Sequence, residues 1–343
     1  MATIYDVAQK SGYSVATVSK VFNHYAGVNA LTKEKVLISA KEIGYVPNLS
    51  AQTLVTNKSW LIGVIFKEDL EQGLVHPHFG GILESFKNRM EKEGYDIIFL
   101  NQNFSNMELK YLEHCRYRNV DGVLLASSIL PEKEATAIEK AGFKCISVEN
   151  DYKNIPTVLS DNNGGTKQLL NYLYTLGHRK IAIIIPPLKS LAGRERFQAY
   201  KEFLIKHGLP YEEKFIVECE EYTVEDSNKA VLQLLNQCLD DFPTAIFAGY
   251  DKIAFAAQKM LLERGYSIPN DISVVGFDDL EIAASITPTL TTIRQDRKEI
   301  GKKAAELLIK RLNNQEEDIK FNDVYRVPTE LKPRNSTCRA RKN

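Results

Sequence analysis

Glu149, Tyr222, Tyr250, Asp251 and Asp278 share one feature: each closely follows a short run ending a strand-like segment, in CISVE, ECEEY, AIFAGYD and VVGFD. In an open sheet of parallel strands, ligands bind in the crevice beyond the carboxyl ends of the strands, so these residues are candidates for a binding cleft. Carboxylates there would accept hydrogen bonds, and tyrosine would offer a flat, weakly polar ring face. Catalysis finds less support. The GxSxG elbow, HExxH and the phosphate-cradling GxxxxGK[ST] are all absent from the sequence. SDNNGGTKQ opens a helix with two glycines but has neither phosphate-binding spacing, so Gly164 and Gly165 are expected to permit close helix-to-strand packing. Asp278 and Asp279 are expected on one extended segment, where neighbours point to opposite sides and make no acid–base pair. Five scattered cysteines without CxxC read as reduced thiols in a cytoplasmic chain, not as a disulfide frame or metal site. The expectation is a binding protein, not an enzyme, with no cofactor.

The elements that would hold these residues alternate regularly from Trp60 onward. Apolar runs such as WLIGVIF, VDGVLLASS, KIAIIIPP and ISVVGFDD are separated by amphipathic stretches, among them 79–93, 107–117, 132–141, 194–207, 226–238, 252–264 and 300–312. Near-continuous apolar strands between helices predict doubly wound parallel sheets in an α/β fold, here as two lobes in series. With 343 residues, 44% of them hydrophobic and 26% charged, the chain has enough for more than one packed core. No apolar run approaches the 18 residues of a membrane span, and the N-terminus lacks a basic stretch followed by an apolar one, so no export and no membrane partner are expected.

The first 59 residues follow a different pattern. Ile4, Val7 and Ala8 recur at helical spacing and stop at Ser11-Gly12; Ser14 is then a suitable N-cap for a second helix. Val18 and Phe22 are expected inward with Val21 nearby, which leaves Val15, Ala16, Thr17, Ser19 and Lys20 towards solvent. A third helix, capped by Asn29 or Thr32, carries Val36, Leu37, Ala40 and Ile43 as its apolar stripe and ends at Gly44. Overall charge is balanced, 44 basic against 44 acidic residues, but residues 1–59 hold six lysines against Asp6, Glu34 and Glu42, a net of +3. A basic head on a mildly acidic body suits phosphate binding at one end. LSAQTLVTNKS, after Pro47, is too short and polar to be a stable helix alone.

The motifs together resemble the LacI/GalR family of transcription regulators. TIYDVAQKSGYSVATVSKVFN is similar to that family's helix-turn-helix and GYVPNLSAQTL to its hinge. PHFGGILESF, VDGVLL, SDNNGG, LGHRKIAII, GRERFQAYKEF, IPNDISVVGFDD and TPTLTTIRQD match its landmarks in order, from Thr3 to about Glu330. The resemblance implies a helix-turn-helix head (1–47), a hinge helix (48–59) and an effector-binding, dimerising core like type I periplasmic binding proteins (60–330). Within that core the N-lobe would span about 60–160 and 291–318, the C-lobe about 161–290 and 319–330, and a basic, frayed tail would follow at 331–343. It further implies a homodimer reading a near-palindromic stretch of double-stranded operator DNA, because one small head makes too few contacts and a two-fold pair reads two half-sites.

By the same resemblance, Val15, Ala16 and Lys20 would read base edges, and Thr17, Ser19 and Asn23 would contact phosphates or bases. Thr3, Tyr5, Ser14, Asn48, Ser50 and Gln52 would complete the DNA-binding set. Leu54 matches the wedge that enters the minor groove and bends the duplex. Arg196 and Asp278 match the family's cleft arginine and carboxylate, and Phe79, Glu149, Tyr222, Tyr250 and Gln295 fall at pocket positions. A small effector, a sugar or sugar derivative, is the implied ligand. The alternatives are control by a phosphorylated partner protein and a free-standing solute-binding protein. The chain departs from the family in several places: its first arginine is Arg89, Lys20 stands where Arg is common, and Tyr250 stands where Asn is frequent.

Overall fold

The computed structural model describes residues 2–23, 25, 27–47, 58–67, 73–104, 107–127, 130–315 and 323–341. The expected hinge residues Asn48, Ser50, Gln52 and Leu54 lie outside them. The chain divides into two compact units, residues 1–61 with 119–121, and 62–118 with 122–343.

In the first unit three short helices enclose a small core. Helix α1 (Ile4–Ser11) begins with a capping box: the Asp6 N–H donates to Thr3 Oγ1, and Asp6 Oδ2 accepts from the Thr3 N–H at 2.7 Å. It ends at Gly12, whose φ of 75° is the left-handed turn that the sequence requires there. Ser14 caps α2 (Val15–Phe22) by accepting from the Thr17 N–H, and Asn29 caps α3 (Ala30–Glu42) by accepting from the Thr32 N–H at 2.7 Å. Val7, Ala8, Val18, Val21, Val36 and Ala40 fill the core. Three expectations are corrected. Val21, not Phe22, points fully inward; Phe22 is half-buried edge-on to Tyr45. Val15 is half-buried against this core, and Leu37 is 41% exposed, because a 13-residue helix packed on two 8-residue ones covers only a narrow stripe.

The second unit contains two parallel sheets. The N-lobe sheet has the order Val324–Val327, Thr157–Ser160, Lys144–Val148, Gly122–Ser127, Leu61–Lys67, Asp96–Phe99. The C-lobe sheet has the order Ser273–Val275, Ala245–Ala248, Ile181–Ile185, Ile216–Glu218. Alternation explains the unbroken apolar runs. Ala182, Ile184, Ile246, Ala248 and Val274 face the helices Val224–Gln237 and Asp251–Glu263, whereas Ile181, Ile183, Ile185, Phe247 and Val275 face Asn162–Thr175 and Leu191–Lys206. Both faces are buried in the two central strands, Ile181–Ile185 and Ala245–Ala248, where a polar residue would be costly. In the N-lobe, helix Pro77–Glu91 packs along Arg297–Leu312.

The chain passes between the lobes three times among the described residues: after Ser160, through Thr292–Gln295, and after Val327. These passages are bonded to one another. The Asp161 N–H donates to Val327 O at 2.9 Å, and Thr292–Gln295 pairs antiparallel with Thr329–Lys332. Gly165 serves this region: a Cβ there would sit 2.7 Å from Thr329 Oγ1 and 3.0 Å from the Phe277 ring, so the close-packing role expected of it is met.

Two expectations about the C-terminus fail. Val324–Val327 fall in the stretch expected in the C-lobe, about 319–330, yet they pair parallel with Thr157–Ser160 as the edge of the N-lobe sheet. The tail from 331 was expected to fray, but through 341 it runs along the edge of the C-lobe sheet. Val274 N–H donates to Ser336 O at 2.9 Å, Ser336 Oγ returns a bond to Val274 O at 2.6 Å, and Ser336 is fully buried. The buried His178 ring bonds Thr244 Oγ1 and Cys338 O, both at 3.0 Å, and so ties the tail down again. Polar composition hid this segment because it satisfies the backbone groups of a sheet edge, not an apolar core.

Candidate functional site

All seven residues expected around a ligand, Phe79, Glu149, Arg196, Tyr222, Tyr250, Asp278 and Gln295, line one cleft of about 850 Å³ that includes its open mouth. His76, Pro77, His78, Ser190, Ala192, Lys252 and Leu280, which no sequence signal singles out as ligand contacts, line it too. HPHF marks only a helix start: proline at the first position of helix Pro77–Glu91 makes His76 its cap, and His76 Nδ1 accepts from the His78 and Phe79 N–H groups at 3.2 and 3.4 Å.

Strand ends and helix starts place the polar groups. Glu149 ends the strand Lys144–Val148 at a φ of 61°, and its Oε1 accepts from Ser160 N–H at 3.1 Å and lies 3.5 Å from His78 Nε2. Burial alone would raise this carboxyl, but His78, the Ser160 N–H and Arg196 outweigh it and hold the group below the ordinary glutamate value. Arg196 is 4% exposed and its guanidinium carbon lies over the Phe277 ring, 3.6 Å from the centroid. Its Nε donates to Asn162 Oδ1 at 3.0 Å and one terminal nitrogen to Gly249 O at 2.7 Å, while Asp278 Oδ1 lies 3.9 Å away. Gln295 donates its amide N–H to Asp278 Oδ1; its buried Oε1 has no partner, and neither has His78 Nδ1. Buried polar atoms of this kind are satisfied by water or by a ligand.

The tyrosines contribute rings. Tyr222 donates its hydroxyl to Ser190 Oγ at 2.8 Å, and the Tyr250 hydroxyl lies 3.0 Å from Ser227 Oγ, within the C-lobe. The two rings sit 5.1 Å apart at 52°. Tyr250 therefore cannot imitate the amide that its position commonly carries in the resembled family, and presents a wall.

Asp278 and Asp279 are not on extended backbone as expected; their φ values are 132° and 50°. Their carboxylates still part company. Asp278 goes to Gln295 and the cleft, and Asp279 goes to Arg294 and Arg334, which draw its carboxyl down despite burial. Asp251, a strand-exit candidate, does not line the cleft. It is fully buried, accepting from Thr292 Oγ1 at 2.6 Å and from Leu280 N–H at 2.8 Å.

Burial, aided by the Asp278 charge, raises the Asp251 carboxyl from 3.8 to about 7. The folded chain then keeps a proton that the unfolded chain has released, so this group favours the fold fully below about pH 4 and loses that contribution as pH rises to about 7. Urea titrations across this range should show the native protein losing stability with pH relative to Asp251→Asn, which cannot ionise. Parallel profiles for the two would mean the carboxyl is ionised throughout.

In the head, Thr3, Tyr5, Ser14, Ala16 and Lys20 are exposed, and Val15, Thr17, Ser19 and Asn23 are half-buried. Asn23 Nδ2 donates to Ser19 Oγ at 3.1 Å, linking two of these side chains. No helix among the described residues is long and apolar enough to cross a membrane, and none of their side chains cluster as a metal site.

Two family models match, one for bacterial regulatory proteins of the lacI family over residues 3–48 and one for a periplasmic binding protein-like domain over 170–337. The chain is 32% identical to the HTH-type transcriptional repressor PurR of Photorhabdus laumondii, covering 95% of this chain and 94% of that one. Among solved structures, the lac repressor dimer bound to operator and the anti-inducer ONPF aligns with a TM-score of 0.79 at 28% identity, over 98% of this chain and 99% of that one. The transcriptional regulator CelR–cellobiose complex aligns with a TM-score of 0.70 at 27% identity, over 98% and 100% of the two chains. A helix-turn-helix head joined to a two-lobed binding core is the architecture of a ligand-responsive transcription regulator, not of an enzyme. The chain belongs to the lacI family of bacterial regulatory proteins.

Proposed function

We propose that this chain is a homodimeric, cytoplasmic repressor that reads a near-palindromic operator and is controlled by a sugar or sugar derivative bound between the core lobes. The observation that carries the effector reading is the cleft's acceptor-rich lining. Two carboxylates and an unpartnered amide oxygen face a single buried guanidinium beside a flat tyrosine ring. Hydroxyl groups can donate to the former and accept from the latter, while C–H-rich ring faces suit the tyrosine. The complex of CelR with cellobiose supports this class of ligand.

Val15, Ala16 and Lys20 read base edges in this scheme, Thr17, Ser19 and Asn23 contact phosphates or bases, and Thr3, Tyr5 and Ser14 complete the head's contacts with DNA. Lysine binds phosphate as a point charge and reads guanine less rigidly than arginine, which shifts specificity towards the apolar contacts of Val15 and Ala16. Asn48, Ser50 and Gln52 contact DNA beside Leu54, the minor-groove wedge. Leu54→Ala should weaken operator binding in a gel-shift titration and leave effector binding unchanged; equal loss of both would defeat this division of labour.

The test of the whole reading is a thermal-shift screen against sugars, sugar phosphates and nucleobases, repeated with operator DNA. A cleft ligand at 100 times its Kd adds about 2.7 kcal/mol of stability, a readily visible shift. A sugar that also changes operator affinity upholds the proposal. Operator binding with no response to any sugar would overturn the effector half and favour a phosphorylated partner protein.

A further inference from the structure

Asp278 occupies an unusual backbone. Its φ of 132° and the 50° of Asp279 lie where non-glycine residues are strained, and such geometry persists only where its surroundings over-determine it. The surroundings are specific. The Asp278 N–H donates to Ile293 O at 2.8 Å, Arg297 donates to Asp278 O, the Asp279 N–H donates to Thr292 Oγ1 at 3.4 Å, and that of Leu280 donates to Asp251 at 2.8 Å. Asp279 is gripped from two sides, its Oδ2 by Arg294 Nε at 2.7 Å and its Oδ1 by Arg334 at 2.6 Å.

The two grips are unequal. The Arg294 side chain is 51% exposed, so its pairing is screened by water, whereas Arg334 is 18% exposed against an Asp279 side chain that is 4% exposed. Arg334 is also fixed along its whole length. Its other terminal nitrogen donates to Leu290 O at 2.7 Å, and its N–H donates to Thr291 Oγ1 at 2.8 Å. It reaches this place because the tail is fastened beyond it at Ser336 and Cys338.

We propose that Arg334 is a positioning residue of the cleft, through which the packed tail clamps Asp279 and thereby aims Asp278 at the effector. The importance of that aim for ligand binding rests on the effector reading above, but the clamp itself does not. Asp278 announces its orientation through Gln295, whose side-chain amide donates to it. The full-length protein, labelled with 15N-glutamine, should therefore report the clamp without any ligand. The Gln295 side-chain resonance is assigned by its loss in Gln295→Glu, and its position without the Asp278 bond is read from Asp278→Ala.

Arg334→Gln should move that resonance most of the way to its Asp278→Ala position, and Arg334→Lys, which keeps a charge on Asp279, should restore part of the shift. Asp279→Asn should reproduce the Arg334→Gln spectrum, which covers the case in which Arg334→Gln fails to fold. Arg341→Gln loosens the tail's end, where Arg341 pairs with Asp271 at 2.7 Å, and should leave the resonance in place. An unmoved resonance in folded Arg334→Gln or Asp279→Asn would overturn the clamp. Because no ligand enters the measurement, that result is separable from a failed effector screen.

Discussion

Arg311→Ala should lower the free energy of unfolding by about 3–5 kcal/mol, the cost of leaving a buried charge without its partner. Arg311 is 2% exposed, in helix Arg297–Leu312, and its guanidinium spans both Glu139 oxygens at 2.6 and 3.2 Å while also donating to Cys145 O. Glu139 in turn accepts from the Cys145 N–H at 3.1 Å, so helix Glu132–Lys140, strand Lys144–Val148 and helix Arg297–Leu312 meet at one ion pair. Removing the arginine strands the carboxylate and opens a void together. Arg311→Met with Glu139→Leu removes both charges and should recover most of the loss, since buried pairs replaced by apolar groups are often nearly neutral. Urea denaturation of the three variants decides it. A single-variant loss below about 1 kcal/mol would place this pair with weak, solvent-screened bridges.

Arg196→Ala should abolish the response of operator binding to effector while operator affinity without effector stays as it was. Truncating one partner of a buried, hydrogen-bonded charge contact costs about 2–5 kcal/mol, a loss of roughly thirty-fold or more in effector affinity. Here the loss is compounded, because Asn162 and Gly249 O lose their donor while Asp278 loses the cation 3.9 Å away. Gel shifts of operator with increasing effector give the answer, with a melting curve to show that the variant is folded. An unchanged operator response of Arg196→Ala at the effector concentration that serves the native protein would remove Arg196 from the site.

How much of this could be read beforehand depended on whether a residue's role was local. The buried strands were legible because two-sided burial leaves unbroken apolar runs, and Asp278, Glu149 and Tyr250 were legible because they follow such runs. The helix boundaries shifted by a few residues where caps lay outside the apolar pattern, as with Ser190 starting Leu191–Lys206 three residues before the expected Arg194. Asp251 reads like its neighbour Tyr250 in sequence, yet it turns inward towards Thr292, a residue 41 positions away. The lobe to which Val324–Val327 belongs, and the fastening of the tail by His178 and Ser336, depend on pairing between distant segments. No periodicity within either segment records that.

The three adjacent passages between the lobes carry a mechanical consequence. A single tether would let two bodies twist, slide and tilt, with six degrees of freedom barely reduced. Tethers laid side by side and bonded to one another, as Asp161 is to Val327 and Thr292–Gln295 to Thr329–Lys332, resist twisting and sliding and leave one easy rotation about the line they define. On the effector reading proposed above, whatever occupies the cleft would be expressed to the rest of the molecule chiefly as an angle. A ligand's chemical identity is compressed into one scalar, and two unrelated molecules that hold the lobes at the same angle would be indistinguishable to everything downstream.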